Sequence, residues 1–121
     1  MEIGLSKKGD VQILTVKGRI RLENWRVVDK HLDTMLEKGC NRLVVDLSEV
    51  TLICSTGVGA LFHNVKKFRD HQGWLMLLSA TPYVQDLLET FGGEPFVNES
   101  VFPDWTAVEK RLISKDPPAP L

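Results

Sequence analysis

Two cysteines among 121 residues, Cys40 and Cys54, are too few for a disulfide framework. No CxxC spacing or neighbouring histidine pair makes a zinc site of them either. They read as reduced thiols, which suits a cytoplasmic protein. Charge of one sign is also missing: 15 Lys and Arg stand against 16 Asp and Glu, for a net charge of -1. A dedicated nucleic-acid binder would carry a basic excess or stripe, so that class is excluded. Long apolar runs are absent: the longest, ending at Leu78, has a handful of residues against the ~20 that span a bilayer. No apolar leader follows Met1, so neither secretion nor membrane insertion is expected.

The usual catalytic signatures are lacking too. Gly57-x-Gly59 stops short of a dinucleotide fingerprint, because Phe62 stands where the third glycine belongs. There is no GxxxxGK[ST] and no GxSxG. His31, His63 and His71 are scattered, without a spaced ligand partner. Asp46 ends an apolar run and reads as a loop-bracing carboxylate rather than a catalytic one. No enzyme activity, metal or cofactor is expected.

What remains is ordinary globular material, 43% hydrophobic and 26% charged, enough for one core in one domain over residues 1–114. The tail Lys115-Asp116-Pro117-Pro118-Ala119-Pro120-Leu121 reads as a disordered proline-rich extension. A first strand is expected at Ile3–Lys7 and a second through Val11, Ile13, Leu14 and Val16. Alternation breaks between Ile13 and Leu14, which requires either a bulge or burial on both faces. Trp25, Val28, Leu32, Met35 and Leu36 make one helical stripe, with Gly39 as its stop. Leu43-Val44-Val45-Asp46-Leu47 is a strand buried on both faces. A helix follows over 57–71, then a strand from Trp74 to Ser79 after the Gln72-Gly73 turn. Thr81-Pro82 caps a third helix that Gly92-Gly93 ends. An extended piece near Phe96–Val97 and a last helix after Pro103-Asp104 complete the chain. The expected fold is an α/β sandwich, a mixed sheet of four or five strands with about four helices. Trp25, Leu32, Val45, Leu61, Leu77 and Leu87 are expected in one core.

The chemistry concentrates where the central strand runs through a short loop into the second helix, at Cys54-Ser55-Thr56-Gly57-Val58-Gly59. Hydroxyls at a helix start satisfy unpaired N–H groups. A phosphate there would also meet the positive end of the helix dipole. Ser55 and Thr56 serve as caps, as a phosphate site, or as both.

Val44-Val45-Asp46-Leu47-Ser48-Glu49-Val50, followed by Cys54-Ser55-Thr56-Gly57-Val58-Gly59, resembles the STAS signature: a strand with "DLS-x-V" leading to "D-S-[ST]-G-[LVI]-G". The similarity extends from about Gly9 to Leu112 and includes Gly18, the Gln72-Gly73 turn and Ser79-x-x-Pro82. It points to the bacterial anti-sigma-factor antagonists. The resemblance implies a non-enzymatic partner of a serine/threonine-kinase type anti-sigma factor, phosphorylated on the hydroxyl residue just before the glycine. That residue is Thr56, with Ser55 the second choice. Arg21, Cys54, Ser55, Thr56, Gly57 and Val58 are then the expected partner-binding residues, on a loop over Thr51–Gly57 and the helix after it. Two positions depart from the pattern: Cys54 and Arg21 stand where the family usually has acids. Arg21 would attract a phosphate rather than repel it. The other reading the resemblance allows is a scaffold or transport-accessory STAS domain that is never phosphorylated.

Overall fold

In this computed structural model, residues 1–9, 11–79, 81–92 and 100–113 are described. The chain enters through an antiparallel pair, β1 (Glu2–Lys8) and β2 (Val11–Ile20), in which Leu5 faces Leu14 and Ile3 faces Val16. Three crossovers follow: α1 (Trp25–Glu37) to β3 (Arg42–Ile53), α2 (Ser55–Asp70) to β4 (Trp74–Leu78), and α3 (Pro82–Gly92) toward β5 (Val101–Phe102). A last helix, α4 (Trp105–Ile113), follows β5. The strands lie in chain order, β1-β2-β3-β4-β5, and every pair after the first is parallel. Five strands and four helices among the described residues are the mixed α/β sandwich expected from the sequence.

Crossovers of one hand that step steadily across a sheet leave their helices on one face. Accordingly Val28 and Leu32 of α1, Val58, Leu61, Val65 and Phe68 of α2, and Val84 and Leu88 of α3 bury one face. Leu14, Val16, Leu43, Val45, Leu75 and Leu77 meet them from the sheet. On the other face Val108 of α4 packs with Ile13, Val44, Trp74, Met76 and Leu78. The break at Ile13-Leu14 is thereby explained as burial on both faces: Ile13 faces α4 and Leu14 faces the crossover helices. The core is thus two layers rather than one. Leu32, Val45, Leu61 and Leu77 are buried as expected, while Trp25 and Leu87 are half-buried against the larger layer.

Helix boundaries follow local chemistry. Gly39 takes a φ of +84° just beyond α1, as a glycine stop does. Thr81 Oγ1 accepts from Val84 N at 3.4 Å to cap α3, and Asp104 Oδ1 accepts from Ala107 N at 2.9 Å to cap α4. The expected strand near Phe96–Val97 and the proline-rich tail lie outside the described residues. In the turn after α2 the left-handed conformation falls on Gln72, at φ +66°, and not on Gly73. A side chain in that region costs roughly 1–2 kcal/mol. Gln72→Gly should therefore raise stability by about 1 kcal/mol in urea denaturation, after allowing for the freer unfolded chain. An unchanged or lower midpoint would contradict the strain.

Candidate functional site

The largest departure from the sequence reading lies just before the hydroxyl pair. The central strand does not end at Leu47: β3 runs on to Ile53. It does so because its pairing with β2 slips twice, once between Thr15 and Lys17 and again between Gly18 and Arg19. Each slip accommodates one extra residue on β3, which is the geometry of a bulge. Gly18 sits at the second slip with φ +96°, a conformation that glycine adopts at no steric cost. At the first, Asp46 Oδ1 accepts from Ser48 N at 2.9 Å and from the Ser48 hydroxyl. Asp46 is thus a backbone brace. The expected loop over Thr51–Gly57 reduces to Cys54 alone, between strand and helix.

Helix α2 starts two residues earlier than its expected 57–71 range, and its cap is not a hydroxyl. Cys54 is the N-cap, in an extended conformation, and its Sγ accepts from Gly57 N at 3.3 Å. The side chain at this position satisfies a first-turn amide, as an acid would. Ser55 and Thr56 are released from that task. They stand exposed as the first two helical residues, and neither hydroxyl has a hydrogen-bond partner among the described residues.

The floor beneath them is tightly built. Gly57 is buried, and a Cβ added there would meet Ile20 Cγ2 at 3.0 Å and Ile53 Cγ1 at 3.3 Å. The glycine therefore lets the helix start sit directly on the ends of β2 and β3. Val58 is fully buried, so its share in any contact is to hold the helix start in place. Gly59, by contrast, is exposed, and an added Cβ would meet nothing within 4 Å.

Arg21 comes to the same edge. Ile20 pairs with Ile53, and Cys54 N donates to Ile20 O at 2.9 Å, so Arg21 and Cys54 leave adjacent parallel strands side by side. Asn24 fixes the backbone around Arg21: its Oδ1 accepts from Arg21 N at 2.7 Å and its Nδ2 donates to Arg19 O at 2.9 Å. The Arg21 side chain is exposed and forms no ion pair among the described residues. Arg21, Cys54, Ser55 and Thr56 thus share one edge, with Gly57 and Val58 as its support.

The sequence reading missed the apolar ring around this edge. Leu22, Val27 and Leu52 are 68%, 44% and 38% exposed, and Tyr83 at the start of α3 is 45% exposed. All four lie where parallel strands end and crossover helices begin, the end at which open α/β sheets place their ligands. A signal existed in Leu22, an apolar residue inside a polar turn. Exposure of Leu52 follows only once β3 is known to continue past Leu47.

No group of three or more His, Cys, Asp or Glu among the described residues could hold a metal ion. No helix among them is long and apolar enough to cross a membrane. Burial pushes the Cys40 thiol above its ordinary pKa, with a backbone hydrogen bond at Arg42 opposing this in part, so the group stays a protonated thiol.

Comparison with known proteins agrees with this geometry. The family model described as "Mlab, STAS domain" matches residues 3–97, and the chain belongs to the STAS domain family. BtrV of Bordetella bronchiseptica, named for a proposed role as an anti-sigma factor antagonist, is 27% identical over 92 residues, covering 76% of this chain and 79% of BtrV. The crystal structure of the Thermotoga maritima protein tm1081, described in the same terms, superposes with a TM-score of 0.78 at 21% identity, covering 93% of this chain and 95% of that one. The anti-sigma factor antagonist SpoIIAA in its unphosphorylated form gives 0.68 at 13% identity, covering 93% and 100%. The Bacillus SpoIIAA in its phosphorylated form gives 0.67 at 13% identity, covering 90% and 98%. The fold is that of the anti-sigma factor antagonists.

Proposed function

We propose that this protein is a regulatory antagonist that docks on a kinase-type anti-sigma factor through the edge formed by Arg21, Leu22, Leu52 and Cys54–Thr56, and that Thr56 is the residue the kinase modifies. The observation that carries the reading is the exposed, unbonded hydroxyl pair at the start of a 16-residue helix, ringed by exposed apolar side chains. Apolar anchors supply contact energy, and a hydroxyl among them supplies a place to cancel it. That SpoIIAA, a protein of the same fold, has a phosphorylated form supports the second half. Thr56 is preferred to Ser55 because it immediately precedes Gly57.

A phosphate adds roughly 1.5–2 negative charges. At a first helical turn the dipole stabilises such charge by about 0.3–1 kcal/mol, so the fold survives. The loss falls on the partner contact, through bulk and desolvated charge. Thr56→Glu should leave the thermal transition intact and weaken binding at least about tenfold, the effect of about 1.4 kcal/mol. Thr56→Ala should bind and resist regulation. Arg21, at the neighbouring strand end, would attract the phosphate and blunt its effect, which Arg21→Asp should sharpen. Incubation with the cognate kinase and mapping of the site decides the assignment. Phosphate found only on Ser55, or none from a proven partner kinase, would sink it.

A second reading, a scaffold or transport-accessory module without phosphorylation, is favoured by one observation. Both acids usual around the switch are replaced, by Cys54 and Arg21, and Cys54 keeps only the capping task. Purification of the native complex separates the two readings by the partner recovered.

A further inference from the structure

The sheet has two edges, and they are not alike. β5 offers two residues, Val101–Phe102, too few to template another strand. β1 offers seven, Glu2–Lys8, without a proline and without a slip in its pairing to β2. Its sequence reads Glu2-Ile3-Gly4-Leu5-Ser6-Lys7-Lys8. Leu5, at its midpoint, lies on the face of the crossover helices, where it is 57% exposed. On the opposite face Gly4 and Ser6 carry almost no side-chain bulk, and an open groove of about 290 Å³ runs beside them, floored by Thr15 and Lys17. A long, flat edge with an exposed leucine at its centre is the arrangement that pairs with another strand.

We infer that this edge pairs with the β1 edge of a second copy of the chain, antiparallel, with the two-fold axis at Leu5. Only one choice of axis is needed to read the contact off the sequence. With Leu5 against Leu5 of the second copy, Gly4 falls opposite Ser6, Ile3 opposite Lys7, and Glu2 opposite Lys8. Directly opposed residues share a face, so the exposed leucines meet each other and each carboxylate meets an ammonium. Glu2 and Lys8 appear twice, once on each side of the axis, as an isologous interface requires. Lys8 is already turned to that face: its Nζ lies 2.9 Å from Glu109 and 4.8 Å from the centre of the Trp105 ring. An ammonium has three donors, so a second carboxylate can join without displacing the first. The bare strip at Gly4 and Ser6 lets the two backbones approach. The result is one continuous sheet through both copies, with both hydroxyl edges left free, because they lie at the strand ends and not along β1. A single strand pair is a small contact, so the dimer is a weak, concentration-dependent one.

Sedimentation velocity over a wide concentration range tests this. The native chain should pass from monomer to dimer. Leu5→Lys and Leu5→Asp should each raise the dissociation constant at least about tenfold, by placing like charges against each other at the axis and removing the leucine contact. An equimolar mixture of the two variants should recover association, since each mixed pair sets lysine against aspartate. Glu2→Lys should weaken the dimer as well, and adding Lys8→Glu should restore it in part. Circular dichroism identifies any variant that fails to fold, and the charge-swapped pair then carries the test alone. A native chain that stays monomeric throughout would overturn the inference. So would a dimer indifferent to Leu5, or one lost by Leu52→Lys and kept by Leu5→Lys, which would put the contact at the hydroxyl edge.

Discussion

Leu61→Ala should cost about 2–5 kcal/mol of stability, toward the upper end of that range. Leu61 is buried in the larger core layer, where α2 packs on the sheet and against α1. It also lines a narrow cavity with Ile20, Trp25, Val28, Asp29, Leu32, Gly57, Ala60 and Asn64. Truncation would enlarge an existing void instead of opening a fresh one. Its walls are held by Asn64, whose Nδ2 donates to Asp29 Oδ1 at 2.7 Å and to Ala60 O at 2.8 Å, so collapse is opposed. Val45→Ala, in the central strand, should act in the same direction with a smaller loss, since fewer atoms are removed. Chemical denaturation measures both. Unchanged midpoints would mean that β3 and α2 are misplaced.

Gly73→Ala should be the most damaging glycine-to-alanine change between Gly4 and Gly73, lowering stability by more than about 3 kcal/mol or preventing soluble expression. Its Cβ would lie 1.8 Å from Asn41 O and 2.6 Å from Asn41 C. Those are backbone atoms, and Asn41 O is the acceptor of Trp74 N at 2.8 Å, the bond that opens the β3–β4 pairing. Asn41 is further tied by its Nδ2 to His71 O at 2.9 Å. Relief therefore means breaking the start of a buried strand. Gly59→Ala serves as the comparison, because its Cβ meets nothing. At an exposed helical position it should gain up to about 1 kcal/mol. Equal effects from the two substitutions would refute the packing described here.

The order of elements was legible in the sequence because hydrophobic period carries it. Trp25, Val28, Leu32 and Leu36 could only be a helical stripe, and Leu43–Leu47 could only be a buried strand. The glycine stop at Gly39 and the cap at Thr81 were equally plain, since each rests on the chemistry of one residue. Illegible was whatever depends on two segments at once. The extension of β3 to Ile53 rests on two slips against β2, and no local property of Ser48–Leu52 announces them. The hydroxyl pair was found from its motif, but its freedom was not, because that depends on Cys54 taking the cap. The same holds for Gly73: the sequence marks a turn, and only the neighbouring Asn41 makes the glycine indispensable. Arg21 and Cys54, far apart in the chain, meet because Ile20 and Ile53 are partners in the sheet.

The double slip has one more consequence, for how the strand yields. Among the described residues β4 pairs with β3 over Arg42–Asp46, whereas β2 accompanies β3 to Ile53. The near half is clamped from both sides and can open only with the whole sheet. The far half is laddered to a single neighbour, through a register already broken twice, and cooperative units of a fold tend to separate at such boundaries. Strand and helix meet at Cys54, so a load applied to the start of α2 is passed to the softer half first. The molecule thereby has a compliant joint beneath its hydroxyl edge and a stiff sheet behind it.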